Sequence, residues 1–240
     1  MTVGMEVLND GGRVLLNQNR YNPSVVASGN ATTADASGFI QFAASYISIY
    51  HTPTGPRPPI LAIRPTEYTW LYLMSYDAGT NQWRWTYVSE HAVGASIPYW
   101  IFDRPTGTAE NYGLQVWDAS GNLTYTTQRK PLRVYPSLIT GDMPQTAASL
   151  VNPSAESFTF ESGRTYAFAT GKPASYRKYY STGGGNQALF GFNNACRGET
   201  NGLGTRNFRH SQGANTTSPV PANEKNWRSR LYIPIDVTNY

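Results

Sequence analysis

The sequence predicts an all-β protein that consists of two tandem, related β-sandwich-like domains, the second with a long insertion rich in Gly, Asn and Arg. Aromatic residues make up 13% of the 240 residues, and charged residues make up only 14%, against roughly 25% in an average globular chain. Short apolar runs with strand-like alternation are separated by Gly, Pro, Asn and Asp, which is typical of strands and turns. A segment at the start of the chain also returns near its middle.

The repeated segment is predicted to be a β-hairpin. Val3–Leu16 has the sequence VGMEVLNDGGRVLL, and Tyr112–Tyr125, which lies 109 positions later, has YGLQVWDASGNLTY. Asn9 or Asp118 begins the turn, where its side chain accepts backbone hydrogen bonds, and a glycine at the end of the turn can adopt the left-handed conformation. The identical positions of the two copies are Gly4/Gly113, Val7/Val116, Gly12/Gly121, Arg20/Arg129, Val25/Val134 and Ser28/Ser137.

The rest of each half also consists of strand candidates. Those of the first half are YTWLYLMSY, WRWTYVS and IPYWIFD, and those of the second half are SFTFES, RTYAFAT, QALFGF and RLYIPIDV. Arg104–Asn111 has the composition of a linker, so we expect one sandwich-like domain over 1–107 and another over 108–240. The Gly-, Asn- and Arg-rich passage Ser181–Arg228 is the insertion, interpreted as a long functional loop or a disordered segment.

Aromatic residues alternate along two of these candidate strands. The alternation predicts one face with Tyr68, Trp70, Tyr72, Met74 and Tyr76, and a face on the next strand with Trp83, Trp85 and Tyr87. Exposed rings would stack on sugars or bases, and buried rings would form a sandwich core. The low charge of both segments favours the core.

No arrangement of residues predicts catalysis, so we expect a protein that is not an enzyme and has no catalytic, cofactor-binding or metal-binding residues. His51, His91 and His210 are far apart, and Cys196 is the single cysteine, which excludes an intramolecular disulfide. Nucleophile-elbow, phosphate-loop and dinucleotide motifs are missing from the sequence. A glycan-cleaving enzyme stays as a weaker alternative, because sequence alone cannot pair two carboxylates across a substrate.

The sequence shows no secretory segment and no apolar run long enough for a transmembrane helix, so we expect synthesis in the cytoplasm and no membrane insertion. We also expect no nucleic-acid partner.

Positive charge is concentrated in the second half of the chain. Between Arg164 and Arg230 the acidic residues are Glu199 and Glu224, against ten Lys or Arg. A basic region can bind an acidic partner, or it can consist of solvated loops and internal ion pairs. Within it, SYRKYYS (Ser175–Ser181) is predicted to be a loop whose mixed charge and aromaticity suit a subunit or ligand contact. The candidate contact residues are Tyr176, Arg177, Lys178, Tyr179 and Tyr180.

The second hairpin, YGLQVWDASGNLTYTT, with IPYWIFDRP shortly before it, resembles a phrase of small accessory tail-tip and tail-fibre-associated proteins of long-tailed, siphovirus-like bacteriophages. The first copy departs from that phrase at Val3, opposite Tyr112, and at Leu8, opposite Trp117. The resemblance implies a β-rich structural component of the virion tail tip, without a cofactor, that docks in several copies on other phage tail proteins. It transfers no site residue. The alternative is a receptor-binding module for a host cell-surface glycan or pilus.

Overall fold

The structure, a computed structural model, describes residues 6–8, 14–17, 22–37, 45–106, 113–142, 155–183, 186–216 and 229–240. Within these ranges the protein is all-β, as predicted, and contains no helix. The strands are β1 Glu6–Leu8, β2 Val14–Asn17, β3 Ser24–Thr32, β4 Ala34–Asp35, β5 Ser45–His51, β6 Ile60–Ile63, β7 Thr69–Asp77, β8 Gln82–Ser89, β9 Ser96–Asp103, β10 Gln115–Trp117, β11 Leu123–Thr126, β12 Ile139–Asp142, β13 Ala155–Thr159, β14 Tyr166–Lys172, β15 Ser175–Gly183, β16 Asn186–Glu199, β17 Gly202–Thr216 and β18 Ser229–Asp236.

Two large antiparallel sheets form the body of the molecule. The six-stranded sheet has the order β12-β18-β14-β6-β9-β3, and the eight-stranded sheet has the order β13-β17-β16-β7-β8-β5-β4, with β15 paired to β16 beside that path. The main hydrophobic core takes residues from both sheets. Trp85 and Tyr87 belong to the eight-stranded sheet, and Phe168 and Tyr232 belong to the six-stranded sheet. The arrangement is therefore sandwich-like, with large aromatic side chains at its centre.

The duplicated opening is confirmed as a pair of hairpins with the same pairing. In the first copy Val7 pairs with Leu16 and Leu8 with Val14, so that a bulge lies between Val7 and Leu8. The equivalent positions of the second copy pair in the same register, with the bulge between Val116 and Trp117. Matching bulges are stronger evidence for duplication than the identities, since a bulge changes the register of every later pair.

The turn chemistry predicted for the second hairpin is present. Asp118 Oδ1 accepts hydrogen bonds from the backbone N–H groups of Ser120, at 2.9 Å, and Asn122, at 2.8 Å. Gly121 has a φ of 78°, the left-handed conformation that the bulge-closed turn requires. The turn of the first copy lies outside the described residues.

The duplication extends to both large sheets. Taken in chain order, β3, β5, β6, β7, β8 and β9 of the first half correspond to β12, β13, β14, β16, β17 and β18 of the second half. If each strand of the six-stranded sheet is replaced by its counterpart, the result is the same strand order read from the other end. The same is true of the eight-stranded sheet, apart from β4 and β15. The counterpart pairs Ile60–Phe102 and Ala167–Ile235 occupy equivalent register positions. An approximate twofold axis therefore relates the two halves.

The expectation of separate sandwiches over 1–107 and 108–240 is wrong, because both sheets run continuously through both halves. The seams are the antiparallel pairs β6–β14, at Ile63 and Phe168, and β7–β16, at Thr69 and Cys196. A separate half would leave the buried strands β6 and β14 as sheet edges with unpaired backbone groups, and joining them removes those edges. The linker expected at Arg104–Asn111 lies partly outside the described residues.

The insertion of the second half is a three-stranded ribbon. β15 and the first part of β16 pair with each other, and the later part of β17 pairs with β16 as far as Thr216, opposite Gln187. The prediction that Ser175–Ser181 is a loop is therefore wrong, because these residues lie in β15. The interpretation of Ser181–Arg228 as a loop or disordered segment is also wrong for 186–216, which forms strands, and residues 217–228 lie outside the described part of the chain.

Candidate docking surface

The strand β16 has two neighbours along the edge that faces away from β17. β15 pairs with it from Ser175, opposite Asn193, and β7 pairs with it at Thr69, opposite Cys196. Both neighbours are antiparallel to β16, so they run in the same direction from adjacent starting points. The same residues of β16 cannot pair with both strands on one edge. β7 therefore separates from β16 where the pairing of β15 begins.

We call the gap between β7 and β15, which both leave β16 from the same edge, the strand fork. Its walls are residues 71–77 of β7 and 175–183 of β15. Within the described ranges, no further strand pairs with residues 73–77 of β7 on the side away from β8. An unpaired edge presents a row of backbone donors and acceptors to which another strand can add.

The β7 wall of the fork carries exposed apolar side chains. Its register with β8 shifts between Leu71 and Leu73 and then continues without a break to Asp77. The exposed residues are Tyr72 (52% exposed), Leu73 (41%), Met74 (52%) and Tyr76 (47%). The sequence from Thr69 to Tyr76 contains no charged residue, so this edge lacks the charges with which proteins usually protect exposed strands.

The register shift also explains why one aromatic prediction is only partly right. Trp70 lies opposite Val88 and packs with it in a small cluster, whereas Met74 lies opposite Trp85, which belongs to the main core. The extra residue at the bulge moves the second part of β7 to the other face of the sheet. Tyr68, Trp70, Trp85 and Tyr87 are buried as predicted, but Tyr72, Met74 and Tyr76 are exposed.

The polar groups at the far end of the β7 wall are already bonded within the hairpin. The Tyr76 hydroxyl donates to Asn81 Oδ1 at 2.8 Å, and Asp77 accepts from the Gly79 N–H and the Thr80 hydroxyl, each at 2.8 Å. The Thr80 hydroxyl and the Gly79 N–H lower the pKa of Asp77 below its ordinary value. These bonds satisfy part of the hydrogen-bonding capacity of the Tyr76 and Asp77 side chains within the hairpin.

The β15 wall contains all five predicted contact residues. By their register with β16, Tyr176, Lys178 and Tyr180 alternate with Arg177 and Tyr179 along β15. The fork brings this segment beside β7, although the two segments are about a hundred positions apart in the sequence (Met74 and Tyr176).

A compact charged cluster lies at the base of the fork. The Tyr68 ring lies between two guanidinium groups, with the Cζ of Arg197 4.6 Å and that of Arg206 4.2 Å from the ring centre. Arg206 is ion-paired with Glu90, and Arg197 Nη2 lies 3.1 Å from Glu199 Oε1. Burial raises the pKa of Glu90, although Arg206 favours its ionised form. Cation–π contacts of this kind contribute about 0.5–1 kcal/mol each at exposed sites, so the cluster holds β16 and β17 to the start of β7.

Internal ion pairs hold four of the ten basic residues between Arg164 and Arg230, which agrees with one of the two interpretations for these four. Besides Arg197 and Arg206, Arg230 is buried and pairs with Glu156, while Arg164 Nη1 lies 2.7 Å from Asp236. These guanidinium groups are therefore not free to bind an acidic ligand.

A histidine and an aspartate that are distant in the sequence form a buried pair. His51 Nε2 lies 3.1 Å from Asp103 Oδ2, and Asp103 also accepts from the backbone N–H groups of Thr54, at 2.7 Å, and Arg104, at 2.6 Å. Burial opposes ionisation of Asp103, but these hydrogen bonds, that of His51 first, hold its pKa below the ordinary value. The pair fixes the segment after β5 to the end of β9.

Two shallow clefts lie on the surface of the described residues. One, of about 420 Å³, is lined in part by Tyr135, Arg164 and Asp236, and the other, of about 390 Å³, is lined in part by Arg57 and Phe102. The Arg164 guanidinium is already bonded to Glu161 and Asp236. In the described part of the chain, no group of three or more His, Cys, Asp or Glu side chains could hold a metal ion.

Comparison with known proteins gives no relative: no family model, curated protein or solved structure matches this chain. Across the described residues, no helix has both the length and the apolar character that crossing a membrane requires.

The fork could not be predicted from the sequence, because it depends on which strands become neighbours of β16. One signal was available. The stretch from Thr69 to Tyr76 is uncharged and ends in the polar turn Asp77–Gln82, which is unusual for a hairpin that projects into solvent.

Proposed function

We propose that this protein is a non-enzymatic structural subunit that docks on neighbouring protein chains through the strand fork. The observation that carries the proposal is the uncharged, largely apolar stretch of β7 from Leu73 to Tyr76, in which Leu73 and Met74 are 41% and 52% exposed. Backbone edges recognise other backbones, so the partner surface is protein in an extended conformation.

We further propose that the assembly is the tail tip of a long-tailed bacteriophage. The support for this step is the resemblance of the hairpin β10–β11, with its sequence YGLQVWDASGNLTY, to small tail proteins of such phages. The protein would then be made in the host cytoplasm and reside in the virion tail, in several copies beside other tail proteins.

A receptor-binding role is the second candidate, and the ribbon β15–β17 favours it. Its strand β15 holds Tyr176, Arg177, Lys178, Tyr179 and Tyr180 at a strand edge, and such residue types suit contact with a host glycan or pilus. In that case the ribbon would remain uncovered at the distal end of the virion.

The two roles differ in what happens to virions that lack the protein. For a structural subunit, we expect particles without a complete tail tip, seen by electron microscopy, and restoration of the tip by the wild-type protein supplied in trans. Particles with intact tips that fail to adsorb to cells would contradict the structural role and support receptor binding. Release of reducing sugar from host glycans by the purified protein would contradict both.

A further inference from the structure

We propose that His91 is an acid-sensitive switch, which holds the segment before β7 in place at neutral pH and releases it when the imidazole ring takes up a proton. The segment, residues 64–68, connects β6 to β7, the two strands through which the first half joins the second. This role is independent of the docking role proposed above, because it concerns the attachment of the seam and not the exposed part of β7.

The direction of one hydrogen bond fixes the protonation state of the ring. The backbone N–H of Glu67 donates to His91 Nε2 at 3.2 Å, so this nitrogen carries a lone pair and the ring is neutral. His91 is only 8% exposed. A proton added at Nε2 would point at the Glu67 N–H, so that two donors would face each other with no acceptor between them. Protonation of His91 therefore breaks the bond that holds Glu67.

The bond from Glu67 belongs to a closed ring of hydrogen bonds at the start of β7. The N–H of His91 donates to Ser89 Oγ at 3.2 Å, and the Thr69 hydroxyl donates to the Glu67 carbonyl at 3.1 Å. The hydroxyls of Ser89 and Thr69 lie 2.8 Å apart, and Ser89 is the donor because the Thr69 hydrogen is already used. Thr69 also pairs with Cys196 across the β7–β16 seam. Loss of the Glu67 bond therefore weakens the attachment of the seam residue itself.

The charges around His91 leave the neutral ring as the favoured form. Burial lowers the pKa of His91 below its ordinary value, and the carboxylate of Glu67 opposes this lowering only in part. The turn that follows His91, residues 92–95, contains no charged residue. The other charged groups on the elements around this site, each of which has a partner in an ion pair or a hydrogen bond, are Asp35, Glu90, Arg197 and Arg206.

His51, the other histidine whose side chain the structure describes, has the opposite chemistry. Its Nε2 lies 3.1 Å from a carboxylate oxygen of Asp103, and a carboxylate accepts a hydrogen bond from a protonated ring. Mild acid should therefore release the segment that His91 holds and leave the segment that His51 holds in place. The two histidines provide a matched comparison within one chain.

Hydrogen exchange of the wild-type chain tests the switch. From about pH 7.5 to about pH 5.5, we expect the protection of the Glu67 amide, relative to its intrinsic exchange rate at each pH, to fall by up to about 10-fold. The open form takes up a proton with the ordinary histidine pKa of about 6.5, whereas the closed form stays neutral. The amides of β14 are the reference for global unfolding, and their protection should fall less.

A substitution that keeps an acceptor but cannot titrate separates protonation from other effects of acid. In His91→Gln the side-chain carbonyl can accept from the Glu67 N–H, and the residue takes up no proton. We expect this variant to lose the acid response of the Glu67 amide and to keep nearly wild-type protection at neutral pH. His51→Gln is the matched control and should keep the full acid response at Glu67.

Nitrogen NMR of the wild-type chain gives a test that needs no substitution. At neutral pH we expect a proton on Nδ1 of His91 and none on Nε2, and the chemical shift of the Glu67 amide should follow the titration of the ring. A proton on Nε2 at neutral pH would overturn the proposal. So would a Glu67 amide whose protection is the same at both pH values, an unchanged acid response in His91→Gln, or an equal loss of protection in β14.

Discussion

The central hairpins of the two halves, β7–β8 and β16–β17, are counterparts that extend past the seam by different parts of their strands. β7 begins at the seam, at Thr69, and continues to its turn at Asp77, whereas β16 passes the seam at Cys196 and turns soon afterwards, at Glu199. The long part of β16 precedes the seam in the chain and pairs with β15, and because β7 and β16 are antiparallel it lies on the same side of the seam as the rest of β7. The shared part is buried core, and the two unequal extensions form the fork. We infer that the duplicated core supplies the fold and that the differences between the copies supply the docking surface.

The largest expected effect comes from breaking the seam itself. Phe168→Ala, at a fully buried residue paired with Ile63, should cost about 3–5 kcal/mol in the free energy of unfolding. Leu61→Ala, at its counterpart in β6, should cost about 2–5 kcal/mol. Because the halves share one core, both variants should shift a single urea transition seen by tryptophan fluorescence. Two separate transitions, with only one of them shifted, would contradict a joint core.

A smaller effect is expected from the two aspartates that end the counterpart strands β9 and β18. Asp103→Asn should cost about 2 kcal/mol and Asp236→Asn about 1 kcal/mol, because Asp103 is completely buried and Asp236 retains some exposure. Asp142→Asn, at an exposed position of β12, should have no measurable effect.

The pH dependence of the same variants follows from the pKa shifts. Hydrogen bonds hold the pKa of Asp103 and of Asp236 below the ordinary value even though burial opposes this. Each carboxylate therefore stabilises the fold above its unfolded pKa, about 4, and this contribution is lost as the pH falls through the lower folded pKa. The stability gap between the wild type and Asp103→Asn, measured by urea unfolding, should narrow on acidification. A gap that is constant from pH 7 to strongly acidic pH would show that the charge of Asp103 is not involved.

The second hairpin is expected to respond to changes at two glycines. Gly113 has a φ of 96°, and a Cβ there would lie 2.6 Å from Thr127 Oγ1, whereas Gly121 has a φ of 78° and open space around it. Gly113→Ala should therefore cost about 2 kcal/mol and Gly121→Ala about 1 kcal/mol. The hydrogen-exchange rates of the β10 and β11 amides measure the stability loss in each of the two variants. An equal stability loss at the two sites would show that the Thr127 side chain moves away from the new methyl group at no cost.

The smallest effect is expected at the projecting end of β7. Tyr76→Phe removes one exposed hydrogen bond, to Asn81, and should change the free energy of unfolding by less than about 0.5 kcal/mol. The urea midpoint measures it, with Phe168→Ala as the reference for a core position. A large loss would mean that the β7–β8 turn is part of the cooperative core.

Local patterns in the sequence were sufficient for the elements with strong alternation. YTWLYLMSY, WRWTYVS and IPYWIFD became β7, β8 and β9, and the duplicated turn of Asp118 and Gly121 formed as its chemistry requires. Strands β3, β5 and β6 were not identified, since β6 is a short apolar run between prolines and β3 contains Gly29 and Asn30.

The joint sheets and the fork could not be predicted, because both depend on pairs between residues far apart in the chain. The β7–β16 seam joins Thr69 to Cys196, and no local pattern indicates that pair. The exposure of Met74 was missed for a related reason. A single bulge residue at Tyr72 reverses the face of every later residue of β7, and alternation alone does not reveal where a bulge lies.

Because Cys196 lies on the seam, the reactivity of its thiol reports on separation of the two halves of the molecule. The thiol is fully buried opposite Thr69, and burial raises its pKa well above the ordinary value. A cysteine attacks a disulfide reagent only as a thiolate that the reagent can reach, so the intact fold protects Cys196 both by burying its sulfur atom and by disfavouring its ionisation. The rate of thiol labelling in native buffer therefore measures how often the β7–β16 seam opens, without any introduced label.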